Sequence, residues 1–136
     1  MKVKVSRKAH FNAAHRLHHA AWSAEQNAEV FGKCAYPNYH GHNYELIASV
    51  TGEVDPITGF VMNVTELAAI IKAEVEDPLD HRNLNLDVPH FATVNPTAEN
   101  IAIFIWHAIQ KRLQPDLELE VILYETPRNF VTYTGA

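Results

Sequence analysis

The chain has 136 residues, 47% apolar and 20% charged, which suits one soluble domain spanning 1–136 with its own core. A formal net charge of −5 argues against a nucleic-acid partner, because phosphate backbones are bound through a surplus of lysine and arginine. No apolar run reaches the length of a membrane span, so no membrane partner is expected.

The first residues, Met1-Lys2-Val3-Lys4-Val5, lack the apolar core and small-residue cleavage site of a secretory signal. The single cysteine excludes an intrachain disulfide. Both readings point to a reducing, cytoplasmic setting. Residues 2–15 alternate in polarity. Val3, Val5, Ala9, Phe11, Ala13 and His15 share one parity, as a half-buried strand requires. Residues 18–38 show no periodicity and read as a long loop, the kind that usually carries function. In residues 40–51, His40, His42, Tyr44, Leu46, Ala48 and Val50 again share a face. Antiparallel pairing of these two strands sets the end of the first beside the start of the second. His15 then meets His40 and His42 on the core-facing side. Three neutral imidazoles with a fourth position open are a catalytic zinc geometry.

A helix follows from Asn63, with Glu66 as a capping-box partner, an apolar stripe of Val64, Leu67, Ala68, Ile71 and Val75, and a stop at Pro78. Residues 79–95 read as a polar connection. A second helix starts near Pro96 or Thr97 and runs to about Leu113, with Ile101, Phe104, Ile105, Ala108 and Ile109 inward. Two strands close the chain, 117–126 and 130–134, joined by Pro127-Arg128-Asn129. The order β-β-α-α-β-β predicts an α+β fold: a four-stranded antiparallel sheet with both helices on one face. Its open edges invite pairing with further copies, and an oligomer that closes the sheets into a barrel would remove them.

Four other groups carry chemistry. Cys34 lies six residues before His40, next to Lys33. It is either a small buried hydrophobe, a base or nucleophile whose pKa is lowered by nearby positive charge, or a fourth metal ligand. Asp80-His81 is either a polar pair at a helix end or a carboxylate orienting a proton-relaying imidazole. Glu125 ends an apolar strand face. It either reaches solvent there or accepts two hydrogen bonds from a guanidinium-like edge, such as that of a pterin. Thr97 and Glu99, at a helix start, either cap it or help hold the same ring.

The segments Phe11-Asn-Ala-Ala-His15-Arg-Leu, Phe31-Gly-Lys-Cys34 through His40-Gly-His42-Asn-Tyr, Val61-Met-Asn63, Leu79-Asp80-His81-Arg-Asn-Leu-Asn, Pro96-Thr97-Ala-Glu99-Asn and Glu125-Thr126 resemble the 6-pyruvoyl-tetrahydropterin synthase family and its relative, 6-carboxytetrahydropterin synthase. The resemblance spans nearly the whole chain. It implies the tunnelling fold, assembled as a homohexamer of two stacked trimers with active sites between subunits. It implies Zn2+ on His15, His40 and His42. It makes Cys34 the proton-abstracting residue, gives Asp80 and His81 a relay, and has Glu125 anchor the pterin with Thr97 and Glu99. The implied reaction converts 7,8-dihydroneopterin triphosphate to 6-pyruvoyl-tetrahydropterin with triphosphate elimination, a carbon-oxygen lyase step in tetrahydrobiopterin biosynthesis. The alternative product is 6-carboxytetrahydropterin, with release of acetaldehyde, toward queuosine. A competing class is a non-enzymatic pterin binder or a structural zinc protein. A third is aldolase-like cleavage, whose practitioners in the family carry a glutamate in or near the thiol's place.

Three features bear on the match. Ala35-Tyr36 stand where animal members have asparagines, Tyr39 where they have glycine, and Ala98 where they have a second threonine. The six-residue step from Cys34 to His40 matches the pyruvoyl type, whereas the carboxy type often has a shorter one.

Overall fold

A computed structural model describes residues 1–136. Two long strands, β1 (Lys2–His15) and β2 (His40–Glu53), pair antiparallel along their full length. Strand β4 (Glu118–Tyr124) pairs with β2, and β5 (Phe130–Tyr133) with β4, both antiparallel. The expected alternation is present. Phe11, Ala13 and His15 on β1 and Tyr44, Leu46, Ala48 and Val50 on β2 are buried, as are Leu119, Val121 and Leu123 on β4. Val3, expected inward, is exposed near the strand's free end. The opposite face is polar, tied across strands by Lys2–Glu118 and Lys4–Glu120 ion pairs of 2.7 and 3.1 Å.

Two main helices cover the apolar face. The first, α2 (residues 64–79), begins as a regular helix at Val64–Ile71. Asn63 caps it by accepting from the Thr65 amide at 3.0 Å, but the Glu66 side chain makes no return bond, so the capping box is incomplete. Leu67, Ile70, Ile71 and Val75 are its buried stripe, while Val64 faces solvent. Pro78 does not stop this helix. A π-helical turn at Lys72–Glu76 precedes it, and the helix continues through Asp77–Leu79. A proline ring collides with the carbonyl four residues earlier and offers no N–H, so the wider turn relieves the conflict there. The second, α4 (Ala98–Gln110), is capped by Thr97, which accepts from the Asn100 amide at 3.1 Å, and buries Ile101, Ala102, Ile105, Ala108 and Ile109.

Two segments read as irregular hold further elements. Within 18–38 lies α1 (Ala24–Phe31), followed by a 3-10 turn at Gly32–Ala35. Its one buried residue is polar: the Asn27 side chain bonds the His19 amide and the carbonyls of His19, Trp22 and Ser23. A helix anchored by one amide has no apolar stripe, so periodicity passes it by. The usable signal was Ser23 followed three residues on by Gln26, a helix-start pattern. Within 79–95, β3 (Arg82–Asn83) pairs parallel with β1, adding a two-residue fifth strand in the order β3-β1-β2-β4-β5. A short helix, α3 (Leu84–Asp87), follows and buries Leu84. These additions leave the α+β plan intact. No helix is long and apolar enough to cross a membrane.

Two non-glycine residues hold positive φ, Tyr39 at 68° and His81 at 60°. Tyr39 directly precedes His40 and turns the chain into β2. A side chain resists this left-handed region, most strongly when it is β-branched. Tyr39→Gly is therefore expected to leave stability within about 1 kcal/mol of the parent, while Tyr39→Val costs about 1–3 kcal/mol, as read from denaturant midpoints.

Candidate metal centre

The β1–β2 register pairs His15 with His40 and Ala13 with His42. His40 and His42 are two apart on one strand, so both imidazoles leave the same face as His15. One ligand atom from each of His15, His40 and His42 lies within 4.8 Å of the other two. The ring centroids are 4.6, 5.2 and 5.0 Å apart, and the rings meet edge to face.

His15 is 1% exposed. Its Nδ1 stands 2.8 Å from the Pro96 carbonyl, which can only accept, so Nδ1 carries the proton and Nε2 the free lone pair. Burial pushes His15 down to about 4 from an ordinary 6.5, so it is neutral near pH 7. Burial also lowers His40. Both ring nitrogens of His40 and Nε2 of His42 are buried without a hydrogen-bond partner. Buried polar atoms normally find partners. Three clustered imidazoles with unspent nitrogens are a donor set that fits a divalent metal ion.

Glu125 follows β4 and closes its hairpin by donating its backbone N–H to the Asn129 carbonyl at 3.1 Å. Its Oε2 is 4.0 Å from His15 Nε2. It lines a cleft of about 780 Å³ with His42, Tyr44, Asn12 and His10. Cys34 sits on the 3-10 turn, which is tied to the end of β1 by Leu17 N–H donating to the Cys34 carbonyl at 2.7 Å and by the Arg16 guanidinium donating to Ala35 O at 3.1 Å. Its sulfur is not among the atoms clustered with the imidazoles. The expected depression of its pKa by Lys33 is not found. Burial pushes the thiol up, and the Glu125 charge adds to this, because Lys33 points to solvent.

Asp80 and His81 form the expected pair, with His81 Nδ1 3.0 Å from Asp80 Oδ2. Asp80 is held low chiefly by the Asn12 backbone N–H, which donates to it at 2.8 Å. The His81 amide in turn bonds the Asn12 carbonyl at 2.6 Å. The His81 side chain is 78% exposed and does not pack on the trio. It lines a second cleft of about 620 Å³ that also holds His42, Asn12 and Arg82. The Thr97 hydroxyl is engaged as the α4 cap, and Glu99 is exposed two residues further on, in the first turn. Two residues of the centre escaped the sequence reading. Pro96 supplies only a carbonyl, which leaves no trace in sequence. Tyr44 was visible as the next inward position after His42; its hydroxyl is buried against His15, and burial raises its pKa, helped by the Glu125 charge.

The profile of the 6-pyruvoyl tetrahydropterin synthase family matches residues 4–136. A 6-pyruvoyl tetrahydrobiopterin synthase of Homo sapiens is 46% identical over 134 residues, covering 98% of this chain and 92% of that protein. A dihydroneopterin monophosphate aldolase of Pyrococcus furiosus is 33% identical over 120 residues, covering 88% of this chain and 86% of that one. The solved structure of Caenorhabditis elegans 6-pyruvoyl tetrahydropterin synthase matches with a TM-score of 0.94 at 39% identity, covering 100% and 97% of the two chains.

The neutral state of His15 links folding to pH. Between its ordinary pKa of 6.5 and about 4, the unfolded chain holds a proton that the folded chain refuses. The metal-free protein should keep this contribution above that window and lose it as pH falls through it, by on the order of 2–3 kcal/mol. Urea unfolding at several pH values should show the loss, and His15→Gln should reduce the slope across the same window.

Proposed function

This chain belongs to the 6-pyruvoyl tetrahydropterin synthase family, and we propose that it converts 7,8-dihydroneopterin triphosphate to 6-pyruvoyl-tetrahydropterin with loss of triphosphate. The observation that carries this reading is the trio of His15, His40 and His42 with Glu125 at its rim. Three nitrogen donors favour zinc, and when bound there it supplies Lewis acidity that eases loss of nearby C–H and O–H protons.

The chain's own groups divide the remaining work. Glu125 accepts the N3–H and 2-amino hydrogens of the pterin, which sets the side chain of the substrate toward the imidazoles. Cys34 takes a carbon-bound proton on one side. His81, oriented by the Asp80 carboxylate, moves a proton on the other. Loss of a proton beside the carbon bearing the triphosphate expels that group, and tautomerisation completes the product without an external oxidant or reductant. Arg82 suits the triphosphate, since it opens on the cleft shared by His42 and His81, whereas Arg16 is committed to the Ala35 carbonyl. Thr97 and Glu99 complete the ring pocket in this proposal.

The outward exposure of His81 and the two short edge strands fit a homohexamer of stacked trimers, in which a neighbouring subunit brings its Asp80-His81 pair to the cleft. A cytoplasmic enzyme is the setting consistent with a working free thiol.

Incubation with 7,8-dihydroneopterin triphosphate and mass analysis should show the pyruvoyl pterin and free triphosphate. Acetaldehyde with 6-carboxytetrahydropterin would assign the queuosine-type reaction instead, and a product cleaved without loss of triphosphate would assign an aldolase. In the same assay, Cys34→Ala should lose roughly 10²–10⁴-fold in kcat and keep its metal. Loss of the metal would make Cys34 a ligand and the centre structural.

A further inference from the structure

Tyr44 lies two residues beyond His42 on the inward face of β2. It is fully buried and stacks on Phe11, its partner across the β1–β2 pair, with ring centroids 4.9 Å apart and planes within 13°. Packing on both strands fixes the ring, and the ring fixes the hydroxyl. That oxygen stands 3.3 Å from His15 Nδ1 and 3.4 Å from Nε2. A point almost equidistant from both ring nitrogens lies along neither the N–H of one nor the lone pair of the other. Nδ1 already donates to the Pro96 carbonyl at 2.8 Å. Nε2 keeps its lone pair for an ion if the trio is to bind one. In the absence of an ion the Tyr44 hydroxyl can donate, off-axis, to Nε2 at 3.4 Å. An ion that takes the Nε2 lone pair would leave it a buried donor with no acceptor among its protein neighbours, an arrangement that is costly unless a ligand completes it.

We propose that the Tyr44 hydroxyl donates a hydrogen bond to an oxygen of the substrate side chain at the histidine trio, which makes Tyr44 a further catalytic residue. This inference rests on the pterin synthase reading above. As a proton leaves carbon beside that oxygen, negative charge grows on it, and a fixed donor in a site shielded from water stabilises the charge. Tyr44 keeps its own proton throughout. The hydroxyl has a chemical purpose that stacking on Phe11 alone does not need.

The test is Tyr44→Phe in cobalt(II)-substituted protein, titrated with acetohydroxamate as an oxygen-donor probe and followed by visible absorption of the metal. The substitution removes one oxygen and preserves the stacked ring, so cobalt stoichiometry and Tm should match the parent. Acetohydroxamate should bind about tenfold more weakly, and kcat on dihydroneopterin triphosphate should fall roughly 10²-fold. Unchanged probe affinity overturns the inference whatever happens to turnover. Loss of cobalt also overturns it, since the hydroxyl would then serve to hold His15. A parent protein that takes up no cobalt refutes the metal reading itself, and the inference falls with it.

Discussion

The antiparallel register of β1 against β2 is the constraint on which the centre depends. It sets His15 opposite His40, and the two-residue period of β2 adds His42 on the same face. A slip of one residue would turn the inward set of a strand outward. It would expose Phe11 and Tyr44 together with the imidazoles they accompany. The apolar core and the histidine trio therefore require the same register, and neither forms without the other.

Burial then sets the chemistry. The environment that shelters Leu46 and Val121 also refuses a proton on His15 and leaves its lone pair available. The same desolvation raises Cys34 and Tyr44, and Glu125 adds negative charge beside both. No lysine or arginine is paired with Glu125 here; its one basic neighbour within 4.0 Å is His15. A divalent ion held by the trio would reconcile those groups, because nearby positive charge inverts the local pKa order. The Pro96 carbonyl, delivered from the start of α4, orients His15 for that ion.

What the sequence disclosed follows from which signals are local. Alternation along β1 and β2 announced the strands, the shared face and the histidine trio, because a strand's period is short and its buried side is apolar. Inward leucines and isoleucines announced α2 and α4. Helix α1 was hidden because one amide, Asn27, anchors it in place of an apolar stripe. Strand β3 was hidden because two residues cannot show a period. The passage of α2 through Pro78 depends on a π-helical turn that no residue type announces. The expected activation of Cys34 by Lys33 failed because adjacency in sequence does not aim a long side chain at its neighbour. The contacts that tune the centre, Pro96 to His15 and Tyr44 to His15, span 81 and 29 residues, and only the folded chain joins them.

The most direct measurement on this account is X-ray absorption at the zinc K-edge of the purified, metal-loaded protein. An open centre built by His15, His40 and His42 predicts three imidazole nitrogens at about 2.0–2.1 Å with a further light-atom ligand and no sulfur. A sulfur shell at about 2.3 Å would place Cys34 on the metal and contradict the open site.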